Sequence, residues 1–311
     1  MKKLIALVAL ALVLLVISAY VFIPSKIIVS NVRYINAYQN TAIKFINDSA
    51  MFNTWWRSVA VKEDTNYTYN GYAYHIKSTL SNLADIKIEP ATDNLNSALV
   101  CLNIYLDSSA LQWSTELDAS VNPLQRIMQY NKARKLKENM GGLLDKLKAF
   151  LDKPEHVYGI NVREVKLKDS VLIASQINTT AYPSVADVYK TVNKLKAYAA
   201  SQQAAATNAP MMNVVQEGEK NYKVMVGLPV SGHINQTPDI IIKRMPYGGS
   251  MFTSTVNGGY YSIQQGLQKL TEYYLDTKRA SPAKPYQLMV TDRQQEADTT
   301  KWVTKLYYPI M

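Results

Sequence analysis

The sequence predicts an α+β protein of two soluble domains behind one N-terminal membrane span. Three observations predict it. Leu4 to Ile23 is a run of twenty residues without a charge. Residues from about 27 to 152 read as a strand, two short helices, a run of antiparallel strands and a long helix. From residue 161 onward, one unit of strands around a single helix is written twice. The chain has 311 residues, 48% apolar and 19% charged. That is enough apolar material for two ordinary cores.

The first element, residues 1–26, reads as a transmembrane anchor. At about 1.5 Å per residue, a helix of that length crosses the hydrocarbon core. A cleaved signal peptide has a shorter apolar region with a small-residue cleavage site. Here Tyr20, Val21 and Phe22 extend the run instead. Lys2 and Lys3 keep the N-terminus in the cytoplasm and send the rest of the chain outward. Pro24 ends the helix. The single cysteine, Cys101, excludes a lipidated start and an intramolecular disulfide. It sits in "SALVCLNIYL", where it reads as a small apolar strand residue.

The first soluble domain is expected over 27–157. "KIIVSNVRYINA" opens it as a strand. "YQNTAIKFIND" follows as a short helix with Ala42, Phe45 and Ile46 on one face, and "SAMFNTWW" gives a second turn of helix. Tyr67 and Tyr69 alternate before Asn70-Gly71, and Tyr72, Tyr74 and Ile76 alternate after it. Asn-Gly between such runs is a tight-hairpin signal. Strands continue at about 78–89, 97–106 and 109–118, the last with Leu111, Trp113, Thr115 and Leu117 on one side. After Pro123, the positions Leu136, Met140, Leu143 or Leu144, Leu147, and Phe150 or Leu151 make a helical stripe. Gly141-Gly142 weakens the middle of that helix.

The second soluble domain is expected over 158–311. Its first copy runs "REVKLKDSVLIASQINTTAYPSVADVYKTVNKLKAYAA", "PMMNVVQEG" and "YKVMVGLPVS". Its second runs "DIIIKRMPYGGSMFTSTVNGGYYSIQQGLQKLTEYYLDTK", "KPYQLMVTD" and "TKWVTKLYYPIM". Each copy has two strands, a helix, a strand led by a proline, and a closing strand. Repeats of this kind outrank local assignments. Val185, Val188, Tyr189, Val192, Leu195 and Tyr198 form one helix stripe. Ile263, Leu267, Leu270, Tyr273 and Tyr274 form the other. Ser184 and Ser262 are the candidate helix caps. Two such units side by side leave a groove between them, the kind of place where small ligands bind.

The order in 27–157, with "INAYQNTAIKFINDSAMFNTWW", the Trp113 strand and the long last helix, resembles the START-like helix-grip fold of the polyketide cyclases. Tyr38 stands where that family usually has proline. The tyrosines at 67, 69, 72 and 74 are candidates to line its apolar cavity; only one side of each strand faces inward, so half of them are expected to be ordinary surface residues. The doubled unit resembles the effector-binding domain of multidrug-sensing regulators and gyrase-inhibitor-like proteins, through "NGGYYSIQQGLQKL", "PYQLMVTD" and "TKWVTKLYYPI". That resemblance implies a duplicated strand-helix-strand-strand domain with a pocket on its pseudo-two-fold axis. It also implies a bacterial source, hence an inner-membrane protein with periplasmic domains. In that family a strand glutamate at the pocket floor meets cationic ligands. Gln287 takes its place here, Met289 that of the family tyrosine and Arg293 that of a proline, while Asp292 is retained. An amide keeps the hydrogen bonds but not the charge. Alternatively, Gln287 is simply a polar group near the end of an edge strand.

Little in the chain points to chemistry. His75, His156 and His233 are isolated, and no metal set or cofactor motif is present. Asp48 and His75 are the tempting acid–base pair, with plain solvated roles as the alternative. Gln287 removes the general base that hydrolytic relatives of the effector-binding domain use. The formal charge of +10 is spread out. No nucleic-acid module is recognisable. The expectation is a membrane-anchored, non-catalytic binding protein for a small hydrophobic or amphipathic ligand. Its candidate wall is Tyr182, Tyr198, Phe252, Tyr260, Tyr273, Gln287, Met289, Trp302 and Tyr307. Membrane lipid around the first helix and a protein partner complete the expected contacts. Two alternatives stand beside it: a structural or protein-interaction module of the envelope, and a hydrolase or cyclase of a small hydrophobic substrate.

Overall fold

The computed structural model describes residues 2–56, 66–89, 95–105 and 107–311. The chain forms two compact units, residues 1–153 and 154–311.

The first unit begins with helix α1, Lys2–Phe22, followed by strand β1, Lys26–Ile35. Arg126 is buried and donates from Nε and Nη2 to the carbonyl of Ile23, at 3.0 and 2.6 Å. Its guanidinium also lies over the Tyr20 ring. Most of α1 has no such partner. Leu4, Leu7, Leu10, Val13, Leu14, Val21 and Phe22 are all more than half exposed. Among the described residues no helix is long and apolar enough to cross a membrane. The expected span is a helix, but the side chains at 2, 5, 6, 8 and 12 lie outside the described set. The transmembrane assignment is therefore not established by the fold.

Helices α2, Gln39–Asn47, and α3, Ser49–Trp55, come next. Asp48 caps α3 by accepting from the Ala50 amide at 2.8 Å. Its role is structural, and His75 faces Glu89 rather than Asp48. Strands β2 (Asn66–Tyr69), β3 (Tyr72–Leu80), β4 (Leu83–Glu89), β5 (Leu95–Asn103) and β6 (Ser109–Asp118) complete an antiparallel sheet in the order β1-β6-β5-β4-β3-β2. The expected strand at 78–89 is the end of β3 and all of β4, because the chain turns at Ser81-Asn82. Residue 106, the expected end of the next strand, lies outside the described residues.

Tyr67 and Tyr74 point inward and pack on Trp56, while Tyr69 and Tyr72 stay half-exposed. All four share one face, since Tyr67 pairs with Tyr74 and Tyr69 with Tyr72; Tyr69 and Tyr72 are the pair next to the hairpin turn, and Tyr69 meets α4 at Gly142. Cys101 is buried on β5, and burial pushes its thiol up to about 11. It is a core residue, not a nucleophile at neutral pH.

Helix α4, Pro123–Leu151, packs on β1 and β6. Pro123 is its first residue and Asn122 its cap. Leu136, Met140, Leu143, Leu144, Leu147 and Leu151 are buried along it. The helix runs on through Gly141-Gly142. A Cβ at Gly142 would come within 2.9 Å of the Tyr69 hydroxyl, and one at Gly141 within 3.3 Å of the Asn31 side chain. These glycines let helix and sheet approach closely. The mixed α+β layout, a curled antiparallel sheet against one long helix, fits the helix-grip expectation.

The second unit starts with α5, Pro154–Tyr158, which packs on the last helix of this unit. Tyr158 bonds Asp276 at 2.8 Å and packs edge-on against Tyr273. There follow β7 (Arg163–Lys166), β8 (Val171–Thr179), α6 (Val185–Ser201), β9 (Ala205–Ala206), β10 (Met211–Gln216) and β11 (Tyr222–Ser231). The second copy gives β12 (Ile241–Arg244), β13 (Ser250–Asn257), α7 (Tyr260–Thr277), β14 (Tyr286–Met289) and β15 (Val303–Ile310).

The sheet order is β12-β8-β11-β10-β14-β15-β13-β7. Read from either end, it gives the same sequence of corresponding strands. The duplication seen in the sequence is thus a duplication in topology. The short first strand of each copy crosses over: β7 pairs with β13, and β12 pairs with β8. Each copy therefore lends its first strand to the other copy's edge. At the centre β10 meets β14, with Met212 opposite Gln287. These two follow Pro210 and Pro285 by the same two residues, so the axis passes between them. β14 is a central strand, which corrects the edge-strand reading of Gln287.

Ser184 closes a capping box with Asp187 at the start of α6. Ser262 does not cap α7. Gly258 takes φ +116°, and the helix begins at Tyr260 with Gly259 as its cap. Gly266 faces the sheet, where a Cβ would lie 2.5 Å from Val256 and 3.0 Å from Leu306.

Candidate functional site

Both long helices of the second unit cover one face of its sheet. α6 packs on Ile173, Val224, Val226, Met212 and Met289, and α7 packs on Phe252 and Leu306. Parity along β14 sends Gln287 and Met289 to this helix side and Tyr286 and Leu288 to the other. The region on the axis between the helices is the candidate cleft.

Two hollows lie there, of about 210 and 120 Å³. The larger is lined by Tyr182, Val188, Tyr189, Tyr260, Met289, Arg293 and Trp302, among others. The smaller has Met212, Val214, Gln264, Leu267 and Gln287. Tyr182 and Tyr260 line both, and their ring centroids are 4.1 Å apart. Tyr182 lies just before α6, and Tyr260 is the first residue of α7. Together they form a plug over the axis, Tyr260 half-exposed and Tyr182 more sheltered. Burial pushes the Tyr182 hydroxyl above its ordinary pKa.

Gln287 is 5% exposed and sits under this plug. Its Nε2 donates to the Tyr182 hydroxyl at 3.2 Å. Its Oε1 accepts from Arg293 Nη2 at 3.2 Å, and the same nitrogen donates to Thr304 Oγ1 at 3.0 Å. The guanidinium carbon stands 4.9 Å from the centre of the Trp302 ring, a cation–π arrangement. Burial pulls Arg293 below the ordinary arginine value, but a guanidinium remains charged in a protein. No carboxylate bonds this cation among the described residues, and no Asp, Glu or His lines either hollow.

Arg293 reaches back because the chain turns sharply after β14. Asp292 Oδ1 accepts from the Gln294 amide at 3.0 Å and so caps the turn. The Arg293 amide donates to the Tyr189 hydroxyl at 2.7 Å, and Trp302 Nε1 donates to the Glu296 carbonyl at 2.9 Å. The 290–296 loop is thus fastened both to α6 and to the chain entering β15.

Of the nine candidate wall residues, the structure brings together Tyr182, Tyr260, Gln287, Met289 and Trp302. Phe252 and Tyr273 pack edge-on against each other, 4.9 Å between centroids, in the core under α7. Tyr198 packs at the edge of the α6 core and donates to the Asn235 carbonyl at 2.9 Å. Tyr307 lies on the opposite face, stacked on Tyr286 at 5.2 Å. Arg293 is the residue that the sequence reading placed but gave no role. The signal was a long cation where the resembling family has proline.

The face away from the helices carries two larger hollows. One of about 710 Å³ is floored by Leu172, Met211, Met225, Met245, Met251 and Tyr286. One of about 620 Å³ lies beside it, sharing Met211, Met251 and Tyr286, with Asp169, Arg163 and Lys305 in its lining.

No family model matches the chain, and no curated protein matches it. Solved structures do. The EcmrR C-terminal domain aligns with a TM-score of 0.42 and 14% identity, over 49% of this chain and 98% of that one. EcmrR in its complex with DNA gives 0.44 and 15%, over 60% and 70%. The di-domain ARO/CYC BexL, from the BE-7585A biosynthetic pathway, gives 0.33 and 8%, over 92% and 85%. Similarity this low bears on neither the ligand nor the partners of this chain.

Proposed function

We propose that the second unit is a non-catalytic binding module for a compact amphipathic molecule, taken up on the axis between its two copies. One observation carries the reading: a guanidinium that no carboxylate bonds among the described residues, set against Gln287 and Trp302 in a cleft lined by aromatic, aliphatic and neutral polar side chains. Each hollow alone is below the usual ligand range of about 300–1,000 Å³. Joined by rotation of the half-exposed Tyr260, they reach its lower end. The apolar part of the ligand would then lie on Tyr182, Tyr260 and Met289, with its polar end toward Gln287 and Arg293. A neutral or acidic end suits that floor. A cation there would meet Arg293 with no carboxylate to offset desolvation.

The test is calorimetry on the full chain in lipid nanodiscs with a matched set: naphthalene-2-carboxylate, 2-naphthylmethanol and 2-naphthylmethylammonium. The carboxylate and the alcohol should bind better than the ammonium. Arg293→Gln should remove the preference for the carboxylate and leave the alcohol unaffected. Tightest binding of the ammonium, or no binding of all three, would refute the reading.

The same proposal places the module outside the inner membrane of a bacterium, held by α1. Lys2 and Lys3 precede the run, and apart from the buried Ala19 the described apolar side chains of α1 are exposed rather than packed. A helix apolar along its length, with its described side chains exposed before the Ala19–Tyr20 contact with α4, suits lipid. Resistance to carbonate extraction and an intact N-terminus on the mature protein are the expected results. A mature start near residue 20 would remove the anchor.

A further inference from the structure

We propose that the face of the second unit's sheet away from its helices is a separate site for a long-chain fatty acid. This site does not rest on the axial cleft: it borders the smaller axial hollow at Met212, Asn213 and Tyr286, but its floor of Leu172, Met225, Met245 and Met251 and its charged rim line neither axial hollow. Its floor is apolar and rich in methionine: Met211, Met225, Met245 and Met251 around Leu172 and Tyr286. Methionine is unbranched and polarizable, so such a floor adapts to a flexible chain. Gly227 keeps the floor low. A Cβ there would sit 2.9 Å from the Leu172 side chain, which lies across that position.

The volume, about 710 Å³, is within the range of small-molecule sites. The neighbouring hollow continues past Met211, Met251 and Tyr286, so an extended chain has room to run on. A walled hollow of this kind suits an acyl chain better than the flat surface of a folded partner.

The rim decides the head group. Lys223, Lys243, Arg244 and Lys284 line it, all exposed, and no Asp or Glu does. Among the described residues none of the four is in an ion pair. One sign of charge around a low-dielectric concavity focuses its field on the opening. An anionic head at the rim with an alkyl chain below satisfies both halves of the site. A cationic amphiphile fits the floor and is repelled by the rim.

The test uses the full chain in phosphatidylcholine nanodiscs, which carry no net surface charge of their own. A diazirine-bearing palmitic acid is photolysed with it, and labelled peptides are located by mass spectrometry. A diazirine-bearing hexadecanol is the uncharged control. Labelling by the acid should concentrate on peptides holding Met211, Met225, Met245, Met251 and Tyr286, above the level of the alcohol. Reversing two exposed rim charges, Lys243→Glu with Arg244→Glu, should cut acid labelling there by at least about fivefold and spare the alcohol. Met225→Trp, which fills the floor, should lower both. Labelling confined to α1 or to the 182–189 and 260–264 peptides would overturn the proposal. Acid labelling indifferent to the charge reversal would overturn it as well.

Discussion

Gln287→Glu sets a carboxylate against the Arg293 guanidinium at the floor of the cleft. The amide oxygen already accepts from Arg293 Nη2 at 3.2 Å. A carboxylate in the same place would face a full positive charge at that distance. With an effective dielectric of about 20, the attraction is about 5 kcal/mol. Desolvating the new charge offsets several kcal/mol of it. The neighbouring Tyr182 hydroxyl, now bonded to the amide nitrogen at 3.2 Å, can turn to donate to the carboxylate. We expect a net change in stability of at most about 1 kcal/mol at neutral pH, because the two large effects nearly cancel.

The pair should show itself in the coupling instead. A double-mutant cycle with Arg293→Gln should give about 2–4 kcal/mol between the two positions. The sign with pH follows. The cation holds the introduced carboxyl below its unfolded-state pKa of about 4.3. Its contribution is therefore fully present above that value and is lost as pH falls through the lower, folded-state pKa. Denaturant unfolding of the four proteins at pH 7 and again between about pH 5 and 3 measures both quantities. A coupling energy near zero would show that Arg293 does not face position 287. The charge argument for the cleft would then fail, whatever the protein binds.

Three other substitutions test the packing of the two units, each by itself. Gly266→Ala should destabilise by about 1–2 kcal/mol despite the better helix propensity of alanine, since its Cβ would meet Val256 at 2.5 Å; a rise in Tm would contradict this close packing. The Tyr74 hydroxyl is buried without a hydrogen-bond partner among the described residues, so Tyr74→Phe should be neutral or stabilising by up to about 1 kcal/mol, and a clear fall in the unfolding midpoint would reveal a missing partner. Ser184→Ala removes the cap and half of the capping box of α6, which should cost about 1 kcal/mol and speed amide exchange in its first turn.

Period and repetition were the legible part of this sequence. A stripe such as Leu136, Met140, Leu143 and Leu147 commits a helix to one face, and the order of elements survives in either copy of the second unit. Pairing partners were not legible. The exchange of β7 and β12 between copies leaves no trace in periodicity, because an edge strand of four residues looks the same beside either neighbour. Close approach was misread for a related reason. Gly141-Gly142 looks like weakness along the chain, and only the Tyr69 hydroxyl across from it shows why a side chain is excluded. Arg293 was hidden by the turn at Asp292, since residues six apart cannot meet along a strand.

The stretch "PYQLMV" joins both candidate sites through strand parity. Gln287 and Met289 face the axial cleft and Leu288 the methionine-floored side, while Tyr286, with Met212 and Asn213, borders both hollows. One central strand thus separates two cavities of opposite design. The cleft has its cation at the floor, beneath aromatic rings. The open face has its cations at the rim, above an apolar floor. A ligand's polar end must therefore point inward in the first site and outward in the second. Compact acids suit the former and long-chain acids the latter. Because Arg293 lines the axial cleft while Lys243 and Arg244 line the open face, Arg293→Gln should leave fatty-acid labelling of the open face unchanged. The Lys243→Glu, Arg244→Glu protein should likewise bind naphthalene-2-carboxylate as wild type does. If each substitution instead weakened both ligands, the two cavities would be one site, read through a sheet that moves.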